Sequence, residues 1–223
     1  AGIKVKILTG DNKITAYAIA KELKVADHES QVIECSELER LDDEGLKKLL
    51  PKIRVIARST PSIKLRVVRV LKSMGEVVAV TGDGINDAPA IKHADVGFAM
   101  GISGSDISKE AADIVLLDDS FATVVKSIAF GRNVYKNLQR FILFQLSVNL
   151  SALLFITVCA IMNLPSPFNT LQLLWINLIM DGPPALTLGL ESANSRVMNN
   201  KPVKRTDGIV GFSMLIRMIF NGV

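Results

Sequence analysis

The sequence predicts an α/β domain with a parallel sheet, followed by an α-helical transmembrane segment. Three observations lead there. Short β-branched runs alternate with helical patterns over the first 120 residues, the signature of parallel strands covered on both faces. Mean hydropathy is +0.34, too apolar for an ordinary soluble domain of this length. That apolarity is also uneven, since Asp181 is the only formally charged residue between Phe141 and Leu190. With 49% hydrophobic and 22% charged residues, the composition excludes a disordered chain, and two cysteines exclude a disulfide scaffold. The net charge of +4 is modest and calls for no nucleic-acid partner.

Taken in order, residues 3–8 form an expected strand that ends in Thr9-Gly10-Asp11-Asn12, and a helix follows to about Leu23. Residues 31–34 read as a weak strand, 38–50 as a helix, 53–58 as a strand, and 63–74 as an amphipathic helix. Val77-Val78-Ala79-Val80 is an apolar strand running into Thr81-Gly82-Asp83-Gly84, with further strands expected at 96–100 and 114–117. Residues 126–140 are expected to form a stalk helix bearing Lys126, Arg132, Lys136 and Arg140. Three membrane helices are expected, at 141–162, 170–190 and 209–223, the last cut short. Basic residues flank the first two crossings on one side, which places residues 1–140 in the cytosol of a multi-pass integral membrane protein. Cys35 and Cys159 have no metal or disulfide spacing and suit a reduced compartment. The chain begins without an initiator Met and ends inside an apolar stretch, so an internal piece of a longer protein is expected.

In parallel sheets, binding groups collect beyond the carboxyl ends of the strands, where both Thr-Gly-Asp stretches fall. Thr81-Gly82-Asp83-Gly84-Ile85-Asn86-Asp87 supplies two carboxylates four residues apart plus an amide, hard oxygen donors of the type that suits Mg²⁺. Thr9-Gly10-Asp11-Asn12 alone could be an ordinary connector turn; at a second strand end of one sheet it reinforces the first. Lys64 falls in the first turn of its helix, near the positive end of the dipole. A phosphoryl group opposite would account for that placement, and a solvated surface lysine is the alternative.

In the membrane segment, Asp181 lies inside a crossing, with Asn177 one turn earlier on the same face. Gly182-Pro183-Pro184 is expected to break the helix and free backbone carbonyls. Gln145 and Asn149 share a face of the preceding crossing. Such a group reads either as a dehydrated cation site or as hydrogen-bonding between helices, the latter especially for Gln145 near the cytosolic end.

Together, Thr9-Gly10-Asp11-Asn12, Lys64 and the run Thr81–Asp87 resemble the phosphorylation domain of P-type cation-transporting ATPases, whose fold is haloacid-dehalogenase-like. Asp118-Asp119-Ser120-Phe121 and Gly131-Arg132 are similar to that family's approach to its stalk helix. The resemblance implies that residues 1–125 are the C-terminal part of a cytosolic phosphorylation domain. It implies that Asp83 ligates the catalytic Mg²⁺, with Asn86 and Asp87 ordering the site. Thr9, Gly10 and Asp11 would serve the phosphoryl oxygens, and Lys64 would neutralise their charge. The implied activity is ATP-driven transport through an aspartyl phosphate. The family's Asp-Lys-Thr-Gly-Thr motif does not occur in the chain. Alone, the chain is therefore expected neither to hydrolyse ATP nor to transport. Its expected partners are the lipid bilayer, ATP, and the nucleotide-binding domain, actuator domain and earlier helices of the same pump.

Trp175-Ile176-Asn177-Leu178-Ile179-Met180-Asp181-Gly182-Pro183-Pro184 is similar to the calcium-pump branch, especially its secretory-pathway and plasma-membrane types. Asn149, Asn177 and Asp181 match calcium-ligand positions, whereas Ala152 and Met180 stand where two-site pumps carry further ligands. The resemblance thus implies one Ca²⁺ per cycle. Competing expectations are a membrane-tethered dehalogenase-fold phosphatase and a P-type pump for Mn²⁺, Na⁺ or H⁺.

Overall fold

A computed structural model describes residues 1–189 and 195–222; the side chains of Asp181, Leu188 and Ser195 lie outside the described set. The chain divides into two compact units, residues 1–125 with 202–205, and residues 126–201 with 206–223.

In the first unit the strands are β1 (Ile7–Leu8), β2 (Val32–Glu34), β3 (Val55–Ala57), β4 (Ala79–Gly82), β5 (Val96–Met100) and β6 (Ile114–Leu116). They form two parallel three-stranded sheets, ordered β1-β3-β2 and β4-β5-β6, so the two Thr-Gly-Asp stretches fall at strand ends of different sheets and not, as expected, of one. Register is set by Ile7 opposite Val55, Val32 opposite Val55, Ala79 opposite Val96 and Phe98 opposite Ile114. The helices are α1 (Lys13–Glu22), α2 (Cys35–Glu39), α3 (Asp43–Leu49), α4 (Pro61–Ser73), α5 (Ala88–His93) and α6 (Asp106–Ala111).

Strand periodicity divides the core. On β3, Ile56 points into a cluster with Leu38, Leu46, Leu50, Ile63 and Val67 from α2, α3 and α4. Val55 and Ala57 point the other way, onto Ala16 and Ala20 of α1. A third cluster, Val68, Val78 and Ala90, joins α4 to the second sheet. Helix starts follow from local chemistry: Asn12 accepts from the Thr15 amide at 2.9 Å, and Thr60 from the Ile63 amide at 3.4 Å with Pro61 next in line.

Several expectations are corrected. The helix anticipated over 38–50 is two helices, because Asp42 accepts from the Gly45 amide at 2.8 Å and caps a new start. The strand anticipated over 3–8 is reduced to Ile7–Leu8, since among the described residues β1 pairs with β3 alone, at Ile7 and Leu8, and Ile3 and Val5 are exposed. α6 was not anticipated; its N-cap, Ser105, lies in a glycine- and serine-rich stretch with no apolar period.

Lys6 closes the end of α3, its ammonium donating to the carbonyls of Leu50 and Ile53 at 2.5 and 2.6 Å. Burial, aided by Arg54 and Lys4, lowers its pKa from 10.5 to about 8. A lowered folded-state pKa means that the folded chain binds this proton less tightly than the unfolded chain. Stability is therefore expected to rise as pH climbs from about 8 towards 10.5 and to lose that gain below about 8. Lys6→Met should flatten this slope in a melting-temperature profile against pH.

Residues 202–205 join the first unit through Asp95. Its carboxylate meets Lys72 and Arg205, each at 3.2 Å, and accepts from the Val78 amide at 3.0 Å. Burial raises the Asp95 pKa, but the Val78 hydrogen bond and the two cations outweigh it, and the net shift is downward.

The second unit contains most of α7 (Phe121–Ile161), together with α8 (Thr170–Gly189) and α9 (Phe212–Gly222). Among the described residues, α7 alone is long and apolar enough to cross a membrane. It runs without interruption through residue 140, where a stalk was expected to give way to a crossing. α8 likewise runs through Gly182-Pro183-Pro184, so the expected break does not occur. Proline's fixed φ is compatible with a helix; what is lost is the amide that would bond four residues back, here at the carbonyls of Ile179 and Met180. Arg132 donates to the carbonyls of Val197 and Asn200 at 3.3 and 3.1 Å, and Gln139 to that of Ile209 at 3.0 Å, so α7 holds the segment that follows α8.

Candidate functional site

The turn after β1 is stitched to the turn after β3. The Thr9 amide donates to the Ile56 carbonyl at 3.0 Å, the Ser59 amide to the Thr9 carbonyl at 2.8 Å, and the Arg58 amide to the Asp11 carbonyl at 2.8 Å. Arg58 takes φ 51° to make this turn. Within the first turn the Thr9 hydroxyl donates to the Asp11 carboxylate at 2.8 Å and accepts from the Asp11 amide at 3.1 Å. Its proton is thus committed locally, and to donate to a bound anion it must leave Asp11. A Cβ placed on Gly10 would meet nothing within 4 Å, so the fold leaves open space beside this turn.

β4 delivers the second Thr-Gly-Asp. Asp83 is exposed, and no hydrogen bond or ion pair engages its carboxylate among the described residues. Its carbonyl, by contrast, accepts from the Ser105 amide at 2.9 Å and the Ser108 hydroxyl at 3.1 Å. A short 3₁₀ turn, Ile85–Asp87, then leads into α5, with Asn86 exposed and Asp87 folded back. A Cβ on Gly82 would lie 2.5 Å from the Asp87 Cβ and 2.8 Å from its Oδ2. Only glycine admits this approach.

Lys64 lies in the N-terminal turn of α4, and its ammonium donates to Asp87 Oδ1 at 2.6 Å. The two side chains are only 19% and 14% exposed. The anion required at this end of the helix dipole is thus supplied, in this structure, by a carboxylate. The structure therefore brings together Lys64 and Asp87. No hydrogen bond joins Thr9, Gly10 or Asp11 to Asp83, Asn86 or Asp87. Sequence reasoning missed Ser105, Ser108 and the tie of Asp119 to this site; the available signals were a glycine one residue before a serine cap and a second aspartate beside Asp118.

The donor chemistry fits Mg²⁺. No group of three or more His, Cys, Asp or Glu side chains is assembled among the described residues. Mg²⁺ does not need one, because it takes one or two carboxylates and completes its shell with water and phosphate oxygens. An unengaged Asp83 carboxylate on a fixed main chain, four residues before the Asp87 carboxylate, is a donor set of that kind.

In the second unit, Asn149 on α7 and Asn177 on α8 are exposed, and no hydrogen bond joins them. Gln145 and Ala152 are half-buried on α7, and Met180 is buried on α8. The side chain of Asp181, expected to complete this cation site, lies outside the described residues.

A family model described as cation transporting ATPase, C-terminus, matches residues 165–223, and two described as haloacid dehalogenase-like hydrolase match residues 1–95 and 65–128. The chain aligns along 100% of its length, at 40% identity, with the human calcium-transporting ATPase type 2C member 1. Along its whole length the chain thus matches a segment of the cation-transporting ATPases. It is 42% identical over 99% of its length to calcium-transporting ATPase 1 of Schizosaccharomyces pombe. It is 48% identical over 94% to a probable plasma-membrane-type calcium-transporting ATPase 6 of Oryza sativa subsp. japonica. It covers 24%, 25% and 21% of these three relatives, about a quarter of each. The crystal structure of a zinc-transporting PIB-type ATPase in its E2.Pi state matches 82% of the chain at 27% identity with a TM-score of 0.54, covering 24% of that protein. The haloacid-dehalogenase-like α/β fold expected from the sequence is thus borne out, and a solved P-type ATPase shares the architecture.

Proposed function

We propose that residues 1–223 are the back half of a phosphorylation domain and the adjoining membrane helices of a multi-pass, ATP-driven pump that exports Ca²⁺ from the cytosol through an aspartyl phosphate. The observation that carries this is the 2.6 Å pairing of Lys64 with Asp87 in the turn that follows β4, four residues after the unengaged Asp83. It is one neutralised carboxylate and one left free on the same turn, on a chain whose relatives are named calcium-transporting ATPases.

The roles follow from position. Asp83, with Asp87 close by, would hold Mg²⁺, which when bound offsets the negative charge of the phosphoryl group. Lys64 gives a point charge that an arriving phosphoryl oxygen shares with Asp87. Thr9 turns its hydroxyl from Asp11 towards that group, and Gly10 leaves the room for it. Asn86 adds a neutral amide at the rim. Asp11 holds the Thr9 hydroxyl until then.

The phosphorylated aspartate comes from outside residues 1–223, and the sheets support a place for it. β1 and β4 each end a parallel sheet, and β4 leaves alternate residues exposed where a central strand would bury them. Lys4 and Glu76, at the entries to these two strands, pair at 3.9 Å. One strand between β1 and β4 would set those two strands about 9.6 Å apart, twice the usual inter-strand spacing and a span that two long side chains can bridge, and would deliver its end between Thr9 and Asp83.

For the transported ion, Asn149, Asn177 and Asp181 would form one Ca²⁺ site. The test is ATPase activity of the full-length protein titrated separately with Ca²⁺, Mn²⁺ and Na⁺, with bound Ca²⁺ counted per phosphorylation site. Ca²⁺ stimulation with one ion per site is expected, and Asp181→Asn should raise the half-activating Ca²⁺ about tenfold or more, a loss of ~1.4 kcal/mol. Two ions per site would sink the single-site assignment, stimulation by Na⁺ alone would move the chain to another branch, and cation-independent phosphatase activity would reject the pump.

A further inference from the structure

Asp118 and Asp119 follow β6, and their carboxylates face opposite ways. Asp118 accepts from the Ser120 amide at 3.1 Å and the Thr123 hydroxyl at 2.7 Å, closing the first turn of α7. Asp119 turns back on the domain with φ 47°, a left-handed conformation that costs backbone energy in any residue other than glycine. From there its two carboxylate oxygens accept from the Ile102 amide at 3.0 Å and the Ser103 amide at 2.7 Å.

The loop so held is packed tightly along its length. The Gly101 amide donates to the Leu116 carbonyl at 2.8 Å, and any Cβ on Gly104 would collide with the Met100 carbonyl oxygen. Its last residue, Ser105, donates its amide to the Asp83 carbonyl at 2.9 Å. The fully buried Ser108 shares its hydroxyl proton between the carbonyls of Asp83 and Ser105, at 3.1 and 2.7 Å. Among the described residues nothing engages the Asp83 carboxylate, so what the fold fixes is the main chain from which that carboxylate projects.

We propose that Asp119 is a positioning residue: by gripping the Ile102 and Ser103 amides it fixes the loop whose Ser105 amide and Ser108 hydroxyl clamp the Asp83 carbonyl, and so sets where the Asp83 carboxylate meets Mg²⁺. The last step rests on the assignment of Asp83 to Mg²⁺ made above; the clamp itself does not. The Ile102 amide, followed by those of Ser103 and Gly101, holds the Asp119 pKa at about 2 against the smaller upward push of burial. Asp119 therefore remains an acceptor through the working pH range.

The test uses the full-length protein in two measurements, amide hydrogen exchange without metal, and Mn²⁺ affinity by electron paramagnetic resonance with Ca²⁺ saturating the transport site. Asp119→Ala is expected to speed exchange at residues 101–105 and also at 82–85, leaving β2 and β3 unchanged, and to weaken Mn²⁺ binding about tenfold, as loss of an outer-sphere support does. Asp119→Asn, which keeps one acceptor oxygen, should fall between the two. Ser108→Ala should loosen 82–85 while 101–103 stay protected. Faster exchange confined to 101–105 with unchanged Mn²⁺ affinity would overturn the proposal. If Asp119→Ala loosens β2 and β3 as well, Asp119→Asn and Ser108→Ala decide by the same criteria. Asp83→Asn serves as the control. Unchanged Mn²⁺ affinity in that variant would reject the metal assignment, whereas the exchange pattern still judges the clamp.

Discussion

Replacing Gly82 by alanine is expected to reduce phosphoenzyme formation by about 100-fold or more in the full-length protein, on the scale of removing one electrostatic stabiliser from an active site. The cause is steric. The new methyl carbon would lie 2.5 Å from the Asp87 Cβ and 2.7 Å from its Cγ. Neither is the far end of a flexible side chain, so the turn Ile85–Asp87 has to move. Asp87 then leaves Lys64, and the charge balance of the pocket is lost with it. The fold should survive, because overpacking of this kind costs about 1–3 kcal/mol. The check is phosphoenzyme level at steady state beside a thermal melt of the same preparation. A variant that melts near the parent temperature and phosphorylates within twofold of it would show that Asp87 tolerates displacement.

Lys64→Met should be nearly as damaging, for a different reason. It leaves Asp87, 14% exposed, without its cation. Breaking a fully buried pair costs about 3–5 kcal/mol and a surface pair under about 1, so a partly buried one should cost about 2 kcal/mol. Activity should fall by about 100-fold or more, since the same ammonium is the point charge for the phosphoryl oxygens. Lys64→Arg separates the two roles. Its guanidinium can pair with Asp87 and restore the melting temperature, but a planar fork does not reproduce a compact ammonium, so most of the activity should stay lost. Full recovery of activity in Lys64→Arg would mean that the charge alone matters.

Much of this site is legible in the sequence, and the limits have physical causes. The apolar run Val77–Val80 announces a strand near Thr81-Gly82-Asp83 but not its bounds: β4 is Ala79–Gly82, because pairing of Thr81 and Gly82 with β5 extends it past the apolar run, while Val77 stays exposed before it. β5 was legible at the expected residues because a buried strand needs an apolar run: Phe98 and Ala99 are almost wholly buried. The partner of Lys64 was not legible, because Asp87 lies 23 residues away and only the packing of α4 against α5 brings them together. Asp119 looked like part of a helix approach, since nothing local announces that its carboxylate reaches back 16 and 17 residues to two loop amides. The pair Pro183-Pro184 misled in the other direction. Proline predicts a break from its missing amide, yet α8 carries both prolines within a continuous helix.

The open flanks of the two sheets have a practical consequence. β1 and β4 present rows of unpaired amides and carbonyls, and such rows are templates for any extended chain that meets them. Handled apart from a strand that would occupy the gap, residues 1–125 should recruit one another at those flanks and come out of solution as concentration rises. A short synthetic peptide of the right register, added in trans, would then act as a solubiliser before it acted as anything else.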